Sequence, residues 1–118
     1  MVLEQKGREL GRLIGQTSEY QAVKRANDAL NGDTEAVALL GRMDELRLTA
    51  QRMIDRGDTP STEMEQELDD LLSRVQVNPA YQRAIVSQEN FEKLMMQVNA
   101  WISEGIKAGA ASPIITLG

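Results

Sequence analysis

The sequence contains no cysteine and no histidine, and its aromatic residues are one tryptophan, two tyrosines and one phenylalanine. The absence of cysteine excludes disulfides and thiolate metal ligands. The absence of histidine removes the commonest general base, and no Ser, Thr or Lys has a partner base at a recognisable spacing. We therefore expect a protein that is not an enzyme, with no catalytic residues, no cofactor and no metal site.

Long hydrophobic runs are also absent, so no segment is expected to span a membrane. The first fifteen residues are interrupted by charged side chains, which is unlike a signal or transit peptide. The formal net charge is −5 and the basic residues are scattered, which argues against direct binding to nucleic acid. These features predict a cytoplasmic protein that binds neither membrane nor nucleic acid directly.

The chain is rich in helix-forming residues with apolar side chains at helical spacing, and its length suits one domain. We expect an all-α fold, an antiparallel helical bundle with two long helices and shorter flanking helices. The domain should cover residues 1–111, with 112–118 as a short extended or flexible tail. The third and fifth helices are expected to form the antiparallel backbone, with the fourth helix between them.

Capping residues divide the chain into five helices. The first is expected over roughly residues 2–15. The later helices are expected to start at Ser18, in a capping box with Gln21; at Asp33 or Thr34; at Thr59-Pro60; and at Asn78-Pro79. The second helix is expected to end at about Leu30, the third at Gly57 and the last at Ala110.

The last helix carries an unbroken 4,3,4,3 spacing of residues that, apart from Gln88, are apolar or small: Ala84, Gln88, Phe91, Met95, Val98, Ile102, Gly105 and Gly109. At 1.5 Å per residue this helix would be about 45 Å long, more than so small a domain can cover. We therefore expect self-association through its far end, with a dimer favoured. The candidate interface residues for an oligomer or a partner are Val98, Trp101, Ile102, Gly105, Ile106 and Gly109. Phe91, Met95 and Val98 are expected to serve the internal bundle, and a second subunit is expected around Trp101 to Gly109. An intramolecular core remains the alternative for the whole stripe.

Two further patterns have structural explanations. An acidic run opens the fourth helix: Glu63, Glu65, Glu67, Asp69 and Asp70. It could hold a hard cation, but acidic side chains are also favoured at a helix start by the helix dipole. Glycines recur every four residues in the first helix, at Gly7, Gly11 and Gly15, which would allow close packing against a neighbour.

Three stretches carry a resemblance to a known family. They are Glu9–Ile14 with Ser18-Glu19-Tyr20 and Ala26–Leu30; Asp33–Ala36 with Leu39, Leu40 and Met43; and Asn78-Pro79 through Gln88–Phe91 and Leu94 to Val98-Asn99 and Trp101-Ile102. Together they span nearly the whole chain and resemble the YlbF/YmcA family of small bacterial regulators.

The resemblance implies long antiparallel helices that associate with one another. It also implies a non-catalytic cytoplasmic regulator of competence, sporulation and biofilm formation, in a complex that steers RNase Y in mRNA processing. The partner would be a second copy or a paralogue, together with client proteins. Some complexes of the family bind iron–sulfur clusters through cysteines, which this chain lacks.

Two other functions stay open. A structural or chaperone-like helical oligomer could hold client proteins or cargo on its apolar faces. An enzyme would need a metal held only by carboxylates, such as those of Glu63, Glu67 and Asp70.

Overall fold

The computed structural model describes residues 1–111. It contains five helices, α1 Val2–Gly15, α2 Ser18–Asn31, α3 Thr34–Asp55, α4 Thr62–Gln76 and α5 Pro79–Ala111. The described residues include no strand, which confirms the all-α class. Within this range no helix is both long and apolar enough to cross a membrane. The expected tail at 112–118 lies outside the described residues.

Two of the predicted helix caps are wrong by one or two positions. Thr17, and not Ser18, caps α2, and Ser61, and not Thr59, caps α4. In each case the hydroxyl oxygen accepts a hydrogen bond of 3.2 Å from the backbone N–H three residues later. That N–H is one of the unsatisfied donors of a helix start, and hydroxyls one or two residues apart compete for the capping position.

The predicted caps of α3 and α5 are confirmed, and they are joined to each other. The carboxylate of Asp33 accepts a hydrogen bond from the N–H of Ala36 at 2.8 Å. The side-chain oxygen of Asn78 accepts one from the N–H of Tyr81 at 3.0 Å. The amide nitrogen of Asn78 then donates to Oδ1 of Asp33 at 3.3 Å. We call this contact between the two caps the cap joint. It places the α2–α3 turn beside the α4–α5 turn.

The helices form two antiparallel pairs that meet at the cap joint. α5 packs mainly against α2, and α3 packs mainly against α4. At the far end of α2, the rings of Tyr20 and Phe91 are in edge contact, with centroids 5.4 Å apart. The expectation that α3 and α5 form the backbone together is therefore wrong. α2 and α3 make few contacts with each other, and each long helix packs instead against a shorter one.

The two pairs use different packing. Large side chains fill the α3–α4 interface, where the buried cluster is Leu39, Met43, Leu46, Leu71 and Val75. Small residues are buried on the helices of the other pair, with Ala26 on α2 and Ala80 and Ala84 on α5. Because small side chains let helix axes approach closely, α2 can make many contacts with α5 over a short length.

An ion pair bridges α3 and α4 on the surface. The guanidinium of Arg42 donates to both oxygens of Glu67, at 2.8 Å and 3.2 Å, and also to Glu45 at 3.1 Å. The hydrogen bonds from Arg42 hold the pKa of the Glu67 carboxyl below its ordinary value. About half of each side chain is exposed, so water and salt weaken the pair.

The molecule is elongated, with principal extents of 66 × 37 × 21 Å and a radius of gyration of 21.6 Å. A compact domain of this length would have a radius of gyration of about 13–14 Å. The two helix pairs therefore extend away from the cap joint and do not close over one shared core.

Replacing the joint residue tests its role in the fold. Asn78→Ala removes the cap of α5 and leaves the Asp33 carboxylate without its cross-turn donor. We expect the free energy of unfolding to fall by about 1–2 kcal/mol, the usual effect of losing an N-cap, as measured by urea denaturation. Asn99→Ala, at an exposed position on the same helix, should change it by less than about 0.5 kcal/mol. Equal effects of the two substitutions would contradict a structural role for the joint.

The Arg42–Glu67 pair predicts a pH dependence. Because the folded-state pKa of Glu67 is lowered, the pair stabilises the fold above the ordinary glutamate value of 4.5. That contribution is lost as the pH falls through the lowered pKa. The difference in urea midpoint between the unmodified protein and Arg42→Gln should therefore shrink below pH 4.5 and at high salt. Arg47→Gln, which removes an exposed pair within α3, should show no such trend.

Candidate functional site

One face of α5 is covered by the rest of the chain along its first five turns. The covered residues are Ala80, Ala84, Ser87 and Val98, which are buried, and Phe91, Leu94 and Met95, which are half-buried. At 3.6 residues per turn they lie within about a third of the helix circumference. This stripe is therefore the face of α5 that packs against the rest of the chain.

The same face continues beyond Val98 without a cover. Trp101, Ile102 and Ile106 are 56%, 43% and 65% exposed. With Gly105 and Gly109 they fall within about 140° of the helix circumference, centred on the buried stripe. A side chain at Gly105 would meet no atom within 4 Å, whereas Gly109 is half-buried. We call residues 99–111 the α5 arm.

The candidate interface residues thus divide into two groups. Val98 is only 5% exposed, so it belongs to the packing inside the chain and not to a free surface. This burial agrees with the internal role expected for Val98, and its listing as an interface candidate stays a prediction. The other candidates lie together on the α5 arm.

The first helix presents a second uncovered stripe. Leu3, Leu10 and Ile14 share one face of α1, yet no residue of α1 is buried. Exposure is greatest near the start, where Leu3 is 72% exposed, while Leu10 and Ile14 are half-buried. A side chain at Gly7 would meet no atom within 4 Å, so the close packing expected at the glycines is not made inside the subunit. The helical spacing of Leu3, Leu10 and Ile14 is visible in the sequence, but α1 was not among the expected interface elements.

Charged side chains border the α1 stripe and lie opposite the stripe on the α5 arm. On α1, Lys6 pairs with Glu9 at 3.4 Å and Arg8 pairs with Glu4. Glu9 and Arg8 project away from the stripe, whereas Lys6 and Glu4 lie at its two edges. On the α5 arm the charged residues are Glu104 and Lys107, which project away from the stripe. The centre of each uncovered face is therefore apolar, which suits burial against another helix.

The acidic run at the start of α4 is used within the chain. Glu67 is held by Arg42 of α3, and Asp70 lies 3.9 Å from Arg74 on its own helix. Nowhere in residues 1–111 do three carboxylates converge as a metal ion requires. The described part of the chain thus gives no support to a carboxylate metal site.

Comparison with known proteins gives one family and several relatives. Residues 3–107 match the family described as "Control of competence regulator ComK, YlbF/YmcA". A UPF0342 protein of Leuconostoc mesenteroides is 24% identical over 98 residues, covering 83% of this chain and 84% of the relative. A UPF0342 protein of Streptococcus mutans is 28% identical over 81 residues, covering 69% of this chain and 72% of the relative. The family match includes α1 and most of the α5 arm.

Proposed function

The chain belongs to the YlbF/YmcA family of regulators of competence, and from this premise we propose that it is a regulatory protein without catalytic activity. It acts by binding other proteins, as an adaptor. Its working form is a dimer in which α1 and the α5 arm of one copy pack against the same two elements of the second copy. A paralogue with the same arms could take the place of the second copy.

The observation that carries this proposal is the continuity of the α5 stripe. The same helical face is buried through Val98 and then exposed from Trp101 onward. The apolar face of α1 is uncovered at the same time, and each arm is about 20 Å long at 1.5 Å per residue. Two copies supply four such arms, the number that closes a four-helix bundle around one apolar centre.

The surface area supports a second subunit. The chain exposes 8931 Å², whereas a compact monomer of 13.1 kDa exposes about 6,400 Å². A stable interface of standard size covers about 800 Å² on each partner. The excess surface is therefore more than sufficient for such an interface, and the uncovered tryptophan is a residue type that often anchors one.

The regulatory role is proposed from the family. Its description is control of the competence regulator ComK, and the resemblance extends this to a complex that steers RNase Y in mRNA processing. Sporulation and biofilm formation would then be regulated through the same complex. The lack of cysteine means that this chain would contribute no thiolate to an iron–sulfur cluster.

A second candidate is a chaperone-like oligomer that holds client proteins. It is favoured by the same exposed apolar arms, because hydrophobic surfaces also bind unfolded chains. The two functions differ in stoichiometry. An adaptor forms a defined complex with a folded partner, whereas a holding chaperone suppresses aggregation of unrelated clients without a fixed ratio.

The dimer is tested by replacing the exposed part of the stripe. We expect Trp101→Ala combined with Ile106→Ala to weaken self-association by at least about tenfold in sedimentation equilibrium, since both side chains would lose their cover. Met96→Ala is the matched control, because Met96 is 71% exposed but lies on the opposite side of α5. A monomeric unmodified protein at 100 μM, about the upper working range of the method, would contradict the proposal.

The adaptor role is tested with the cytoplasmic region of RNase Y from the same bacterium. We expect a complex of fixed stoichiometry in size-exclusion chromatography with light scattering, and altered RNase Y cleavage of transcripts in a deletion strain. Suppression of aggregation of unrelated denatured proteins, with no complex and unchanged transcripts, would support the chaperone-like function instead.

A further inference from the structure

A groove lies between α2 and the first three turns of α5, and no residue of either arm lines it. Its volume is about 730 Å³, and Ala22, Ala26 and Ala29 line it from α2. Arg25 and Arg83 also line it, one from each helix, together with the polar residues Gln82, Ser87 and Asn90. The groove thus combines small apolar residues, polar side chains and two guanidinium groups.

The two arginines are available to a partner. Five other arginines form ion pairs with carboxylates of the chain: Arg8, Arg42, Arg47, Arg56 and Arg74. Within residues 1–111 no carboxylate lies within 4 Å of either Arg25 or Arg83, and no acidic residue lines the groove. In a chain with a net charge of −5, the groove therefore carries two arginines that form no ion pair within residues 1–111.

Apolar side chains extend the groove around α5. A second groove of about 470 Å³ is lined by Tyr81, Ile85 and Val86, and it shares Gln82 and Val86 with the first. Ile85 and Val86 are 41% and 55% exposed. The two grooves adjoin at Gln82 and Val86, so apolar side chains continue around α5 beside the two arginines. Sites that receive an amphipathic helix likewise combine apolar contacts with charged residues.

We propose that this surface binds an acidic amphipathic helix of a partner protein. Carboxylates of the partner pair with Arg25 and Arg83, and its small or aliphatic side chains pack on the alanines and Val86. The proposal rests on the proposed function as an adaptor, and it specifies the chemistry of the partner.

Three alternative occupants fit the surface less well. The grooves are open, whereas small-molecule sites enclose most of their ligand. Binding to a nucleic-acid backbone requires more than two positive charges in a chain of net charge −5. A second copy is a poor occupant as well, because its uncovered arms contain charges of both signs and offer no acidic stripe.

The test uses the full-length protein and a labelled 18-residue helical peptide with leucine and alanine on one face and a glutamate in every turn beside it. We expect saturable binding by fluorescence anisotropy, with NMR shifts at the methyl groups of Ala22, Ala26 and Val86. A peptide with glutamine in place of glutamate should bind at least about tenfold more weakly, because it cannot form the charged hydrogen bonds.

Matched variants locate the binding. Arg25→Gln combined with Arg83→Gln should raise the Kd for the glutamate peptide by at least about tenfold, whereas Arg52→Gln, another exposed arginine, should leave it unchanged. The proposal is overturned by equal affinity for the variants, by NMR shifts away from the grooves, or by no binding at millimolar peptide. It is also overturned if a single-stranded RNA oligonucleotide binds through these arginines and the peptide does not.

Sedimentation of the same samples separates this proposal from the proposed dimer. We expect the double arginine variant to remain dimeric, because neither arginine belongs to an arm. A dimer that does not bind the peptide overturns only the groove proposal, whereas a monomer that binds it overturns only the dimer.

Discussion

The hydrogen bond between Asn78 and Asp33 is the constraint on which the arrangement of the helices depends. Each side chain caps its own helix, and together they hold two distant turns of the chain side by side. From this point α5 runs back along α2, and α3 pairs with α4. A side-chain contact of this kind, almost wholly removed from water at Asn78, sets the direction in which both long helices leave the centre.

In this arrangement the longest helix is paired with a much shorter one. α5 has 33 residues, whereas α2 has 14 and begins opposite Phe91. Because α2 cannot cover the last turns of α5, the apolar stripe emerges from the subunit at Trp101. The helix is interrupted at residues 16–17, between α1 and α2. α1 therefore forms a second arm, in which no residue is buried. We attribute the proposed dimer to these two uncovered arms. The groove between α2 and the start of α5 is lined by no residue of either arm, so the proposed partner site does not overlap the proposed dimer interface.

Local sequence features predicted the helices and their ends, but they did not predict which helices pack against each other. Helical spacing and the Asn78-Pro79 and Asp33 caps indicated five helices with nearly correct ends, because these features act over a few residues. The partner of each helix depends on contacts distant in sequence, such as Asn78 with Asp33, and this information is absent from periodicity. For the same reason the stripe indicated a candidate interface around Trp101 but could not show which elements cover its first five turns. Arg25 and Arg83 are 58 positions apart, so only the fold brings them together.

If a second copy covers the stripe on the α5 arm, the chain carries its own reporter of that contact. Trp101 is the single tryptophan, and it is 56% exposed in the isolated subunit. A dilution series of its fluorescence emission therefore follows the proposed interface itself. We expect a blue-shifted maximum at high protein concentration that moves to longer wavelength in one transition as the dimer dissociates. A maximum typical of exposed tryptophan that stays constant over the whole range of concentration would show that no second copy covers Trp101.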